Sequence, residues 1–341
     1  MPGRLGYLIA LGAAVALAGC ADGTGGGRTA DPCRGEPLDK IDDDFGERIV
    51  FASDRSGSAD LWSVAPDGTD LRQLTDLPGA EGTAAWSPDG RQLAFTAFAD
   101  AVPEDFLGGD ICILDSSGLR NLTGTERSSE FAPTWSPDGE LAFVRMDGRR
   151  STIVAREAAG PAERELAQGD WPAWSPDGAT IAFARGVVGR GWSEQLWAVD
   201  ADGGSLRPLT EVSDGSATQP AWSPDGRRLS FSSGRDGDPQ AQDPLESNEE
   251  IYLMDAGGGN HRRLTAIPGN DHWPASWSPD GRRLAFTSDG EGDLGDIVVV
   301  DVESLETTYL TEDEHLDAFP AWRPALSGGQ APLMQVRPGL P

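Results

Sequence analysis

Six side chains with the chemistry to bind or react stand just ahead of a recurring tryptophan: Glu81, Glu130, Asp170, Asp271, His272 and Asp317. Carboxylates brought together in that number would attract a basic peptide segment or a cation. A second acidic run, from Asp236 through Asp238, Asp243, Glu246 and Glu249 to Glu250, reinforces the sign. Asp289, Glu291, Asp293 and Asp296 offer hard oxygen ligands of the kind calcium takes, though not at EF-hand spacing. Calcium is therefore the one cofactor candidate. Catalytic patterns are sparse: the chain has no Gly-x-Ser-x-Gly elbow, no HExxH and no CxxC pair. Of the three histidines, His261, His272 and His315, the last two precede tryptophans, where a paired metal or acid–base site is conceivable. No residue is assigned a catalytic role.

The elements that must position these groups follow from a repeat. Trp86, Trp135, Trp174, Trp222 and Trp277 each open the pentapeptide WSPDG, and a degenerate sixth copy is Trp322, Arg323, Pro324. The intervals are 49, 39, 48, 55 and 45 residues, the length of one four-stranded propeller blade. Three strand-like segments recur within each interval. The first runs Ile49–Ser53, Leu93–Thr96, Leu141–Val144, Ile181–Ala184, Leu229–Ser232 and Leu284–Thr287. The second begins at Leu61, Ile111, Thr152, Leu196, Ile251 and Ile297, and the third centres on Leu74, Leu122, Leu166, Leu209, Leu264 and Leu310, usually as Arg-x-Leu-Thr.

Ser-Pro-Asp-Gly is hairpin chemistry: proline presets φ, aspartate bonds the turn, and glycine accepts a positive φ. Segments such as Ile251–Met254 are apolar on both faces, as expected of sheets stacked face to face. The repeat starts out of phase, with a second strand at Ile49, and ends on a first strand at Phe319–Arg323. The two ends therefore complete one blade, and truncation before Phe319 is expected to destabilise the whole ring. The fold expected is all-β: a six-bladed β-propeller closed by exchange of the C-terminal strand.

The WSPDG, LAF, Asp-Ile-Tyr-like and Arg-x-Leu-Thr series resembles the TolB-type propeller repeat, over about Glu47 to Pro324. The resemblance implies a six-bladed propeller of the kind found in exported bacterial proteins. Similar blades also occur as non-catalytic caps of some serine peptidases, but the stretch beyond Pro324 is too short for a hydrolase domain. This chain departs from the pattern around Ser151–Ala167, which is short and lacks the threonine, and it lacks the separate N-terminal domain of TolB itself.

Arg4 followed by the apolar run Leu5–Leu17 reads as an export signal rather than a bilayer span. It ends in Leu17, Ala18, Gly19, Cys20, which resembles a lipobox and makes Cys20 the expected lipid attachment point. Residues 1–20 are thus read as signal, 21–46 as a flexible linker, 47–324 as propeller and 325–341 as a disordered tail. Cys33 and Cys112 either pair, as an oxidising location permits, or Cys112 stays a buried free thiol. The formal charge of −29 repels phosphate backbones and anionic lipid, which argues against nucleic acid and leaves the lipid as the membrane contact. The expected protein is a monomeric lipoprotein of the periplasm or cell surface. It would bind a protein or peptide with basic residues through the acidic loop face. The rival reading is a propeller enzyme, such as a calcium-dependent lactonase or lyase.

Overall fold

The computed structural model describes residues 31–99, 108–125, 128–148, 150–188, 192–211, 213, 215–236, 249–266, 271–289 and 295–326. Six antiparallel sheets of four strands each succeed one another along the chain. The inner strands are Asp317–Trp322 in blade 1, Ala80–Trp86 in blade 2, Ser129–Trp135 in blade 3, Asp170–Trp174 in blade 4, Thr218–Trp222 in blade 5 and Asp271–Trp277 in blade 6. Each packs on the next, and blade 6 packs on blade 1, so the ring is closed.

Closure uses the two ends as the repeat phase predicts. Asp317–Trp322 pairs antiparallel with Ile49–Ser53, setting Trp322 opposite Ile49 and Ala321 opposite Val50. Asp60–Val64 and Arg72–Gln73 complete blade 1. The edge of Ile49–Ser53 that would otherwise face the channel unpaired is covered by this strand.

The motif residues explain the blades locally. In the WSPDG turns, Ser87, Ser175, Ser223 and Ser278 donate their hydroxyls to Asp89, Asp177, Asp225 and Asp280, at 2.6–2.7 Å. The turn glycines take positive φ, +67° at Gly90, which a side chain would resist. The Arg-x-Leu-Thr threonine ties the outer edge of a blade to its third strand. Thr75 accepts from the Leu61 N–H, and Thr123, Thr210, Thr265 and Thr311 repeat the bond at Ile111, Leu196, Ile251 and Ile297. Phe51, Phe95, Phe143, Phe183, Phe231 and Phe286, the aromatic of each LAF-like segment, are fully buried. Both faces of the middle strands are covered because neighbouring blades stack. One cluster, for example, joins Val50 and Leu61 of blade 1 to Trp86, Phe95 and Cys112 of blade 2.

The linker expected over 21–46 needs correction from residue 31 onward. Cys33 is disulfide-bonded to Cys112 in blade 2, Ile41 and Phe45 are buried, and Asp43–Phe45 forms a turn of 3₁₀ helix capped by Asp42. Apolar side chains at 41 and 45 find a groove between blades 1 and 2, which a Gly/Ser tether would have no reason to occupy. Arg323 locks this strap in place. It is wholly buried, and its guanidinium donates to the carbonyls of Gly90, Gly46 and Asp42 at 2.8–3.0 Å while lying over the rings of Phe45 and Trp86. Residues 1–30, with Cys20, and most of the C-terminal tail lie outside the described residues.

Candidate functional site

Every inner strand is interrupted by a β-bulge just before its tryptophan. A bulge sets two residues against one, so it re-aims a side chain and frees a backbone N–H. In four blades the first bulge residue sits at positive φ and is followed by proline: Ala132 at +52°, Trp171 at +53°, Gln219 at +52° and Phe319 at +60°. For an alanine this conformation is uncommon; for a tryptophan or phenylalanine it is costly, and it persists only where the surroundings impose it. The Phe319 N–H freed in this way donates to Thr287 Oγ1 of blade 6 at 3.0 Å, and that of Ala132 to Thr83 Oγ1 of blade 2 at 3.1 Å.

The bulges turn Trp171 and Phe319 toward the propeller axis. They belong to blades 4 and 1, which face each other across a six-membered ring, and their rings stack at 6.2 Å with 21° between planes. Trp171 is 9% exposed and Phe319 2%. The pair plugs the channel.

On the WSPDG side of this plug lies a funnel of about 580 Å³ to which all six blades contribute. Trp171 and Phe319 belong to its lining, together with alanine from every inner strand, proline from every inner strand but that of blade 2, and the tryptophans of the repeat. Its wall is stitched by indoles. Trp135 Nε1 donates to Ala85 O at 3.0 Å, and Trp86, Trp222 and Trp277 reach Ala321, Ala173 and Ala221 of the preceding inner strand at 3.1–3.2 Å. Where that position carries a hydroxyl, the hydroxyl accepts instead from the backbone N–H of the next tryptophan. Thr134 takes Trp174 at 3.3 Å, and Ser276 takes Trp322 at 2.9 Å. Around the rim stand the exposed turn carboxylates Asp89, Asp138, Asp177, Asp225 and Asp280. The serine hydroxyl that each accepts holds Asp177, Asp225 and Asp280 below the usual carboxylate range, so they stay charged. The arrangement is a fixed apolar cup with a charged lip, where exposed Arg91, Arg227 and Arg282 follow three of those carboxylates by two residues.

The comparisons with known proteins agree with this architecture. Residues 108–244 match the family model described as TolB beta propeller domain. The chain is 32% identical to the "Protein TolB homolog" of Chlorobium luteolum over 274 residues, 69% of this chain and 60% of that protein. It is 30% identical to the "Tol-Pal system protein TolB" of Nitratidesulfovibrio vulgaris over 151 residues, 42% of this chain and 33% of that one. The crystal structure of TolB from Acinetobacter baumannii superposes with a TM-score of 0.66 over 83% of this chain and 68% of that chain, at 21% identity. The chain belongs to the TolB-type propeller repeat proteins. It spans 60% and 33% of the length of the two named relatives, so this TolB-type chain shares their propeller repeat and not their whole extent.

Against the TolB-type frame, the acids expected at the channel mouth begin the inner strands, at the end opposite the funnel. They are not an open negative ring. Glu81, Glu130, Asp170 and Asp317 are each at least 97% buried and partnered. Glu81 accepts from Thr75 at 2.7 Å. Glu130 accepts from Thr125, Ser128 and Arg145 at 2.7–2.8 Å, and Asp317 pairs with Arg55. Burial pushes Glu81 up to about 9 and Asp170 up to about 6. Their burial has a simple cause: as the first residues of a strand flanked by two blades, they cannot reach solvent as loop residues would. Asp271 and His272 start the blade 6 strand, and their side chains lie outside the described residues.

Of the acidic run, Glu250 is buried against Thr265 and Arg263, Asp236 takes the Tyr252 hydroxyl, and residues 237–248 lie outside the description. Asp296 accepts from Thr311, Glu291 and Asp293 are not described, and among the described residues no group of three or more His, Cys, Asp and Glu is placed to hold a metal. Asn121, which opens a glycosylation-like triplet, has its amide committed to Asp31 and Asp110. The funnel itself was missed, although its signal was present: proline two residues before four of the repeat tryptophans marks the bulge that builds it.

Proposed function

We propose that this propeller is an exported binding platform, tethered through lipid on Cys20, that receives a segment of a partner protein in the funnel on its WSPDG face. The observation that carries the reading is the cup itself: a preformed apolar recess walled by all six blades, with stacked aromatics at its base and carboxylates at its lip. Such a site suits an extended segment that inserts an apolar or aromatic residue and lays basic residues against the rim. The sequence through Cys20 supports export and lipidation, and the name of the Nitratidesulfovibrio relative points to a partner of the Tol-Pal kind. Between the two ends of the channel, burial of Glu81, Glu130, Asp170 and Asp317 favours the funnel over the acidic end.

A photo-crosslinking side chain placed at Ala275 or Ala325, both lining the funnel, is expected to trap one discrete protein in intact cells. The same group at Ser58 on the opposite face is expected to trap none. Crosslinks from Ser58 alone would transfer the function to the acidic end. Cys20→Ser is expected to abolish incorporation of labelled palmitate and release the protein from membranes.

A further inference from the structure

Among the described side chains, three seams of the ring set an acid at the start of one blade's third strand beside an acid at the start of the next blade's inner strand: Asp60 interacts directly with Glu81, while Asp110 and Glu130 share Thr125, and Asp296 and Asp317 share Thr311. Two of these seams carry a cation. Arg145 binds Glu130 at 2.8 Å, and Arg55 binds Asp317. The seam between blades 1 and 2 differs. Asp60 and Glu81 are both 0% exposed, and among the described residues neither has a basic partner.

Their hydrogen bonds leave a matched gap. One oxygen of Asp60 accepts from Ser56, Ser58 and Gln73, and one oxygen of Glu81 accepts from Thr75. The other oxygen of each, Asp60 Oδ1 and Glu81 Oε1, is buried with no donor. Two unpaired acceptors on acids within hydrogen-bonding reach of each other cannot satisfy each other as carboxylates, and leaving both orphaned is costly. A single proton between them satisfies both.

We propose that Asp60 and Glu81 hold one shared proton, carboxyl to carboxylate, and that this proton makes the seam between blades 1 and 2 a pH-sensitive joint, tightened by acid and loosened by alkali. The proton comes from solvent and leaves the pair with one negative charge instead of two. Around the pair, Ser56, Ser58, Gln73 and Thr75 stay neutral throughout the relevant range. Among the described residues the like charge of Asp76 also acts on Asp60, while Arg55 on the adjoining hairpin is committed to Asp313 and Asp317. Burial first, with the charge of Asp60 adding to it, pushes Glu81 up to about 9, and burial pushes Asp60 up as well. The folded chain therefore binds one more proton than the unfolded chain from the ordinary glutamate range up to about 9. Stability is complete below that window and is lost as pH rises through it. The joint matters because the same seam holds the Arg323 lock and the Cys33–Cys112 bridge.

The test is chemical unfolding of the wild type, Glu81→Gln and Asp60→Asn between about pH 7 and 10, with hydrogen exchange of 60–64 and 80–86 followed beside 218–222. For the wild type the unfolding constant is expected to climb roughly tenfold per pH unit up to about pH 9, with exchange rising first at 60–64 and 80–86. In either variant the climb should flatten. Parallel pH slopes in wild type and variants would overturn the proposal. Should both variants fail to fold, infrared spectra of the wild type decide. A protonated-carboxyl stretch that is present at about pH 8 and lost by about pH 10 supports it, and its absence at pH 8 refutes it.

Discussion

Trp171 and Phe319 stack across the propeller axis from opposite blades, each held at positive φ by a bulge that a following proline keeps out of the ladder. The strain and the stacking are coupled: an unstrained inner strand would keep both rings against their own blades. The channel is therefore divided into a funnel and a separate acidic end, and a ligand entering from the WSPDG face meets an aromatic base.

This coupling makes an unusual mutational order. Phe319→Ala and Phe319→Gly both lose the ring, at about 3 kcal/mol or more. Glycine, however, relieves a left-handed conformation that costs alanine about 1 kcal/mol. Glycine is expected to be the more stable variant, the reverse of the rule in ordinary strands, and the same order should hold at Trp171. Urea midpoints at unchanged m-value check it; alanine equal to or above glycine contradicts it.

Much of the ring was legible because its repeat is dense. WSPDG spacing set the number of blades, and the phase at Ile49 and Phe319 set the closure that Ile49 and Trp322 make. The acids at the strand starts show where this reading ran out. Glu81 and Asp170 look like loop residues in the chain, yet a strand beginning one or two residues earlier places them inside a seam, and strand ends are the least certain feature of a pattern. Arg323 failed for a different reason. It looked like decay of a motif, because nothing local shows that its carbonyl partners arrive from residues 42, 46 and 90. The plug is invisible for the same reason, since Trp171 and Phe319 meet only when blades 1 and 4 are already in place.

Arg323 is expected to be among the most sensitive positions in the chain. Arg323→Ser restores the residue of the other repeats but leaves three carbonyls without their donor and a cavity beside Phe45, at a cost of about 3 kcal/mol or more. Arg323→Lys should recover less than half, because one ammonium cannot span three divergent carbonyls. Thermal unfolding and hydrogen exchange over 42–46 measure both; a serine variant as stable as the wild type would show that the strap holds without the lock.

The Cys33–Cys112 bridge closes a loop with a sequence separation of 79. On the chain-entropy account such a loop contributes roughly 4 kcal/mol by restricting the unfolded chain. The double variant Cys33→Ser, Cys112→Ser should lower the urea midpoint correspondingly, and reductant should shift the wild type only once it is unfolded, because both sulfurs are buried. An unchanged midpoint would mean that packing of Ile41 and Phe45 alone secures the strap.

A second pair of acids sets stability at lower pH than the blade 1–2 seam. Burial, and then the charge of Asp170, pushes Glu194 up to about 7, while burial pushes Asp170 up to about 6. Both values are raised above those of the unfolded chain, so the folded protein binds the extra protons. The contribution is complete at about pH 4 and is lost as pH climbs through 6 and 7. Glu194→Gln removes one of the two titrations and the repulsion felt by the other. The variant should therefore lose less melting temperature between about pH 5 and 8 than the wild type, its remaining decline coming from Asp170 and from the blade 1–2 seam. Calorimetric melting across that range tests it. Equal slopes would show that the two carboxyls ionise in the folded ring without penalty, as they could only if a cation reached them there.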